Sequence, residues 1–319
     1  MASLKLKRAI NSLLKDYLSL NDEESILVIS DSKKQELSLL VFELAKKVTT
    51  DVYYLEIGNS ADKESLPNII LEASKAVDTI MVVADIPIYH SRMLREISSL
   101  GIRVAILPQI SEDGLSRSMQ AETEEILKFA EMFENKLKNT SIIRIESKNG
   151  TDISLPIKNR DVFASTGILR KIGEVGIVPS SKVFVSPWDE KSNGIIVFDG
   201  YIEQIGPLKN TVQVQIEDGI ATKITGDGDE AKQLAKILNK YGEEARNLAE
   251  FGLGINPKAI ISSDFYESES SLGTCFIAFG NNLRLGGNID LPLRLSCVIE
   301  KPTVLFDDES FITNGKFMV

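Results

Sequence analysis

The sequence predicts an α/β fold: a doubly wound parallel sheet in an N-terminal domain, residues 1–140, then a mixed β-rich C-terminal domain, residues 141–319. Three observations predict it. Up to residue 140, short apolar runs alternate with segments whose apolar residues recur every three or four positions, the signature of strand–helix units. Beyond residue 140, short strands dominate, separated by Asn149-Gly150, Asp199-Gly200 and Asp218-Gly219, pairs that favour tight turns. A length of 319 residues suits two domains rather than one.

The elements follow in order. Leu6, Ile10, Leu13, Leu14, Tyr17 and Leu18 recur at helical spacing, so the chain opens on an amphipathic helix. Residues 25–30, Ser-Ile-Leu-Val-Ile-Ser, read as a buried strand. Residues 33–47 are helical, with Leu37, Leu40, Val41 and Leu44 on one face. Strands over 51–57, 79–84 and 103–107 alternate with helices over 64–76 and 90–100, the latter ended by Gly101. One long helix covers 116–138. The second domain carries strands over 141–146, 151–155, 182–185, 194–198, 211–216 and 221–225, and is expected to pack against the first. A helix over 229–251 interrupts them, with Ala231, Leu234, Ala235, Leu238, Tyr241, Ala245 and Leu248 as its stripe. That helix would hold Glu250 at its C-terminal end, where the helix dipole disfavours a carboxylate unless cations face it.

Composition narrows the function. The formal net charge is −10 and the isoelectric point is near 4.9, which argues against nucleic acid or an anionic membrane as partner. No run approaches the ~20 apolar residues of a membrane-spanning helix, so a cytoplasmic location is expected. Asp31-Ser32-Lys33 ends the first strand, where doubly wound sheets bind ligands. It lacks a glycine-rich or phosphate loop, so it gives no nucleotide signal.

The most informative stretch is 273–298, Gly-Thr-Cys-Phe-Ile-Ala-Phe-Gly through Leu-Arg-Leu-Ser-Cys-Val. With Val178-Pro179 through Pro187, Asn193-Gly194 through Gly200, and Glu250-Phe251-Gly252-Leu253-Gly254-Ile255-Asn256-Pro257, it resembles the aminopeptidase T and aminopeptidase S family of metallo-aminopeptidases. The resemblance is strong over 145–300 and only general before it. It implies the two-domain fold of that family, and a homodimer.

It also implies a site. That family holds two divalent ions on two glutamates, two histidines and an aspartate, with a tyrosine near the scissile bond. Matched position by position, these fall on Lys182, Glu250, Phe276, Arg294, Ser296 and Leu283, and only Glu250 keeps its type. One carboxylate cannot hold two dications, and Lys182 and Arg294 oppose metal entry by about 4 kcal/mol per like charge at about 4 Å and an effective dielectric of about 20. No metal and no cofactor is expected. Lys182, Glu250 and Arg294 are expected to form an ion-pair cluster instead; the alternative is a collapsed site with both cations in solvent.

Other residues add little. Cys275 and Cys297 are too few for a disulfide framework, and strand alternation turns each away from the former site as a core thiol. His90 is the sole histidine, so no two-histidine metal site can form within one chain; it reads as a helix-start residue. Asp264, Glu267 and Glu269 read as a solvated turn, and Trp188 as a packing residue. The leading functional expectation is a non-hydrolytic relative of the aminopeptidases that binds a small molecule or peptide, or acts structurally. The alternatives are a metal-dependent aminopeptidase using Glu250 with Asp189, Glu190 or Asp264, and a metal-free enzyme with Lys182 as base or nucleophile.

Overall fold

In a computed structural model, residues 3–58, 68–84 and 92–318 are described. In chain order the first elements are α1 (Leu4–Ser12), β1 (Ile26–Asp31), α2 (Gln35–Ala45), β2 (Val52–Ile57), α3 (Asn68–Ser74), β3 (Thr79–Val83), α4 (Arg92–Ser99), β4 (Arg103–Ile106), α5 (Glu112–Ser118) and α6 (Thr123–Lys138). Then come β5 (Ile142–Glu146), β6 (Asp152–Pro156), β7 (Val162–Ser165), β8 (Val175–Ile177), β9 (Lys182–Val185), β10 (Asn193–Phe198), β11 (Tyr201–Ile202), β12 (Gly206–Pro207), β13 (Val212–Glu217) and β14 (Ile220–Thr225). The chain ends with α7 (Asp229–Lys240), β15 (Leu248–Gly254), α8 (Phe265–Ser270), β16 (Cys275–Gly280), β17 (Arg294–Ile299), β18 (Thr303–Phe306), β19 (Glu309–Thr313) and β20 (Lys316–Phe317).

Two compact units result. One is Met1–Thr123 with Ser165–Ser180; the other is Glu124–Ala164 with Ser181–Val319. The expected single cut at residue 140 is therefore replaced by a discontinuous division. Its cause is β8, which pairs parallel with β4 and returns a late segment to the first sheet.

The first unit holds a parallel five-stranded sheet of order β2-β1-β3-β4-β8. Strand β1 is buried along its whole length because both faces are covered. Leu27, Ile29, Val82, Val104 and Ile106 meet Ile70 of α3 and Leu94 and Ile97 of α4 on one face. On the other, Ser38 of α2 reaches Ser30 at 2.6 Å. The opening helix is α-helical over α1 and continues as a π-helical turn, Leu13–Tyr17; all six apolar residues that predicted it are buried. The expected helix over 116–138 is two helices. Ser111 accepts from the Gly114 N–H and starts α5 early, and Glu124 and Glu125 fill the first turn of α6, where a helix N-terminus favours acids. The beginnings of the expected helices over 64–76 and 90–100, His90 included, lie outside the described residues.

The second unit holds two sheets, β14-β13-β10-β6-β5-β18-β19-β20 and β12-β11-β17-β16-β15-β9-β7. Phe198 of the first and Phe279 of the second meet edge to face at 6.1 Å. The expected helix over 229–251 is corrected: α7 stops at Lys240, Gly242 takes a φ of 89° that ends it, and β15 begins at Leu248. All seven residues of β15 are buried between β9 and β16. Glu250 thus sits mid-strand, and the helix-dipole argument for its pairing does not apply.

Candidate functional site

Register decides which side chains meet. In antiparallel pairs, opposed residues share a face and alternate residues along a strand return to it. Glu250 opposes Ala278, which opposes Ser296; Gly252 opposes Phe276, which opposes Val298; Gly254 opposes Lys182, and Gly280 opposes Arg294. Lys182, Glu250, Phe276, Arg294 and Ser296 therefore share one face of the seven-stranded sheet. Leu283 is not with them: it lies in the turn Leu283–Leu285 and is 47% exposed. Cys275 and Cys297 occupy the opposite face as buried free thiols, as strand alternation requires.

Charge organises the face. Arg294 Nε donates to Glu250 Oε2 at 2.8 Å and Nη2 to Glu250 Oε1 at 2.9 Å, a bidentate pair. The same Nη2 donates to Glu269 Oε1 at 2.7 Å, and Lys182 Nζ donates to Glu269 Oε2 at 2.5 Å. The expected ion-pair cluster is present, but Lys182 pairs with Glu269 rather than Glu250. Glu269 is 1% exposed and Glu267 0%, so the expectation of a solvated turn there is corrected. Helix α8 lays them onto the sheet, tied down by Ser270 Oγ accepting the Ser181 N–H at 3.0 Å. Burial pushes the Glu269 carboxyl up, but Arg294 and Lys182 outweigh it and hold it at about 2. For Arg294, burial disfavours the charge, yet Glu250 and Glu269 hold it protonated well above its ordinary range.

Aromatic rings frame the ions. The Phe276 ring lies 5.2 Å from Lys182 Nζ and 5.6 Å from the Arg294 guanidinium carbon. Lys182 also stands 5.4 Å from the Phe184 ring, which stacks on Phe163 at 5.7 Å. Arg294 keeps 28% and Lys182 13% side-chain exposure, so both reach solvent while their carboxylate partners do not.

Glu203, which the sequence did not single out, joins this face. It follows β11 and is half-buried; its Oε2 accepts the Ser296 N–H at 3.0 Å. Burial pushes its carboxyl up to about 7, against the pull of Arg294. A raised folded-state value means that stability is full below the unfolded value near 4.5 and is lost as pH rises through about 7. Glu203→Gln is expected to melt with the native protein at pH 5 and above it at pH 8, the gap being on the order of 2–3 kcal/mol. Scanning calorimetry at the two pH values checks this; equal melting at pH 8 refutes it.

The donor set does not fit a divalent ion. Both Glu250 oxygens and both Glu269 oxygens already accept from Arg294 or Lys182, and Phe276 offers no lone pair. Asp189, an alternative ligand, accepts from Asn282 Nδ2 at 2.6 Å and from the Asn288 N–H at 3.2 Å. Among the described residues, no group of three histidine, cysteine or acidic side chains is placed to hold a metal.

The family model described as NicX, 2,5-dihydroxypyridine 5,6-dioxygenase, matches residues 14–319. The chain belongs to the NicX family. Among solved structures it is similar to the 2,5-dihydroxypyridine dioxygenase of Pseudomonas putida KT2440, at 19% identity and a TM-score of 0.83, covering 98% of this chain and 97% of that one. It is also similar to wild-type AmpT of Thermus thermophilus, at 14% identity and a TM-score of 0.71, covering 99% of each. No curated protein sequence matches it. The aminopeptidase T fold is thus present, while the functional expectation is corrected. Membership of the NicX family displaces both the non-hydrolytic aminopeptidase and the peptidase with substitute ligands. Among the described residues, no helix is long and apolar enough to cross a membrane.

Proposed function

We propose that the Lys182–Phe276–Arg294 face takes a small, ring-hydroxylated N-heteroaromatic compound of the 2,5-dihydroxypyridine kind. The observation that carries this reading is a set of uncommitted donors beside aromatic rings. Arg294 Nη1 and two of the three Lys182 ammonium hydrogens have no hydrogen-bond partner among the described residues. A ring hydroxyl oxygen accepts charge-assisted bonds from such donors, and the partly buried Phe184 and Phe163 pair offers an apolar edge to the ring. Glu250 and Glu269 balance the two cations and Glu203 adds further acidity, so the face suits a weakly acidic ring rather than a polyanion. The family match supports the substrate class.

The ring-opening by dioxygen in the family's description is not part of this proposal. Dioxygen chemistry is carried by haem, flavin, copper or non-haem iron, and non-haem iron oxygenases use two imidazoles and a carboxylate. Here Phe276, Arg294 and Ser296 occupy the matched ligand positions, so no step is drawn through a metal. Titration calorimetry with 2,5-dihydroxypyridine is expected to give saturable 1:1 binding without added iron. An oxygen electrode should register no uptake when ferrous ion is supplied. Absence of binding would sink the proposal, and iron-dependent oxygen uptake would overturn its metal-free part.

A further inference from the structure

Ser296 breaks a rule that the rest of the face obeys. Its side chain is fully buried, yet its Oγ has no hydrogen-bond partner. A buried hydroxyl left unbonded costs roughly 1–3 kcal/mol, and such groups in native proteins call for an explanation. Two of its neighbours on this face have nothing to bond it with. Ala278, directly across on β16, has only a methyl group, and Val298, two residues along β17, is apolar. Glu203 bonds the Ser296 backbone on both sides: its N–H donates to the Ser296 carbonyl at 2.9 Å and its Oε2 accepts the Ser296 N–H at 3.0 Å. The residue is therefore fixed at its backbone while its hydroxyl stays uncommitted, two positions along the strand from Arg294 and in one row with Glu250.

We infer that the Ser296 hydroxyl is a specificity-determining contact, held for a polar group of the ring bound by Lys182 and Arg294. This rests on the ligand class proposed above. A side chain that serves only the fold would be bonded or apolar. One that serves a ligand is unsatisfied until the ligand arrives, and a site built to bond a substrate hydroxyl rejects the analogue that lacks it. The free protein bears the cost and the complex recovers it.

Ser296→Ala tests this without endangering the fold, because it removes an atom that bonds nothing. The probes are 2,5-dihydroxypyridine and 2-hydroxypyridine, which differ by one hydroxyl. Native protein is expected to prefer the first by about tenfold, and Ser296→Ala to lose that preference while melting at the same temperature or higher. If both probes bind the variant as they bind the native protein, this inference is overturned and the ring-binding reading stands. A variant that melts lower with unchanged preference marks a structural role and also overturns it. Native protein that binds neither probe overturns the ring-binding reading, and this inference with it.

Discussion

Replacing Arg294 with methionine is expected to lower the unfolding free energy by about 3–5 kcal/mol, the cost of leaving buried charge uncompensated. The guanidinium is the sole partner of both Glu250 oxygens and of Glu269 Oε1 among the described residues. Glu250 and Glu269 are almost wholly buried, so water cannot take its place. Urea denaturation of native and variant protein measures the loss. It should shrink as pH falls toward about 5, because the Glu269 carboxylate, no longer held low by Arg294, takes up a proton. Adding Glu250→Gln to the variant should recover much of the loss, since it removes the stranded Glu250 charge while Glu269 keeps Lys182. A loss below about 1 kcal/mol would mean that solvent screens the network as it does a surface pair.

That network was partly legible in the sequence. Lys182, Glu250 and Arg294 stood at matched positions in blocks of known order, and strand alternation put the cysteines on the far face. Three things were not legible. Glu269 lies in Glu-Ser-Glu-Ser-Ser, a composition that reads as surface; only the docking of α8 onto the sheet buries it. Glu203 lies in no motif and reaches the site through the pairing of β11 with β17. Leu248 to Phe251 continued the apolar stripe of α7 closely enough to pass for helix, and the positive φ of Gly242 ends that pattern. Strands β1, β3 and β4 were legible because they are buried along their whole length, and the edge strand β2 because Val52, Tyr53, Tyr54 and Ile57 are strand-forming residues. The fifth was not, because Val175-Gly176-Ile177 is short and carries a glycine that faces Leu169.

Gly252→Ala is expected to cost about 3 kcal/mol, the upper end for forcing an atom into a packed core. The added Cβ would lie 2.1 Å from Phe276 Cζ and 2.5 Å from Cε1. The ring cannot swing aside: it is fully buried, with Lys182 and Arg294 against it. The glycine is thus required by contact rather than by backbone conformation, and shortening the neighbour should rescue it. Phe276→Leu alone should destabilise through the cavity it leaves. The double variant should be more stable than the two single costs predict, by about 1–3 kcal/mol of coupling. Strict additivity in a double-mutant cycle would show that the ring does not lie over Gly252.

The route of the chain through the two units bears on how it is made. Strand β4 is finished at Ile106, but its neighbour β8 ends at Ile177. At translation rates of ~5–20 residues per second, the emerging first unit waits for seconds with β4, rather than the short β8, as its sheet edge, while residues 124–164 of the other unit leave the ribosome. An open edge is a template for wrong partners. A fragment ending at residue 140 makes that wait permanent, and is expected to associate with itself until the missing strand, residues 165–180, is supplied in trans.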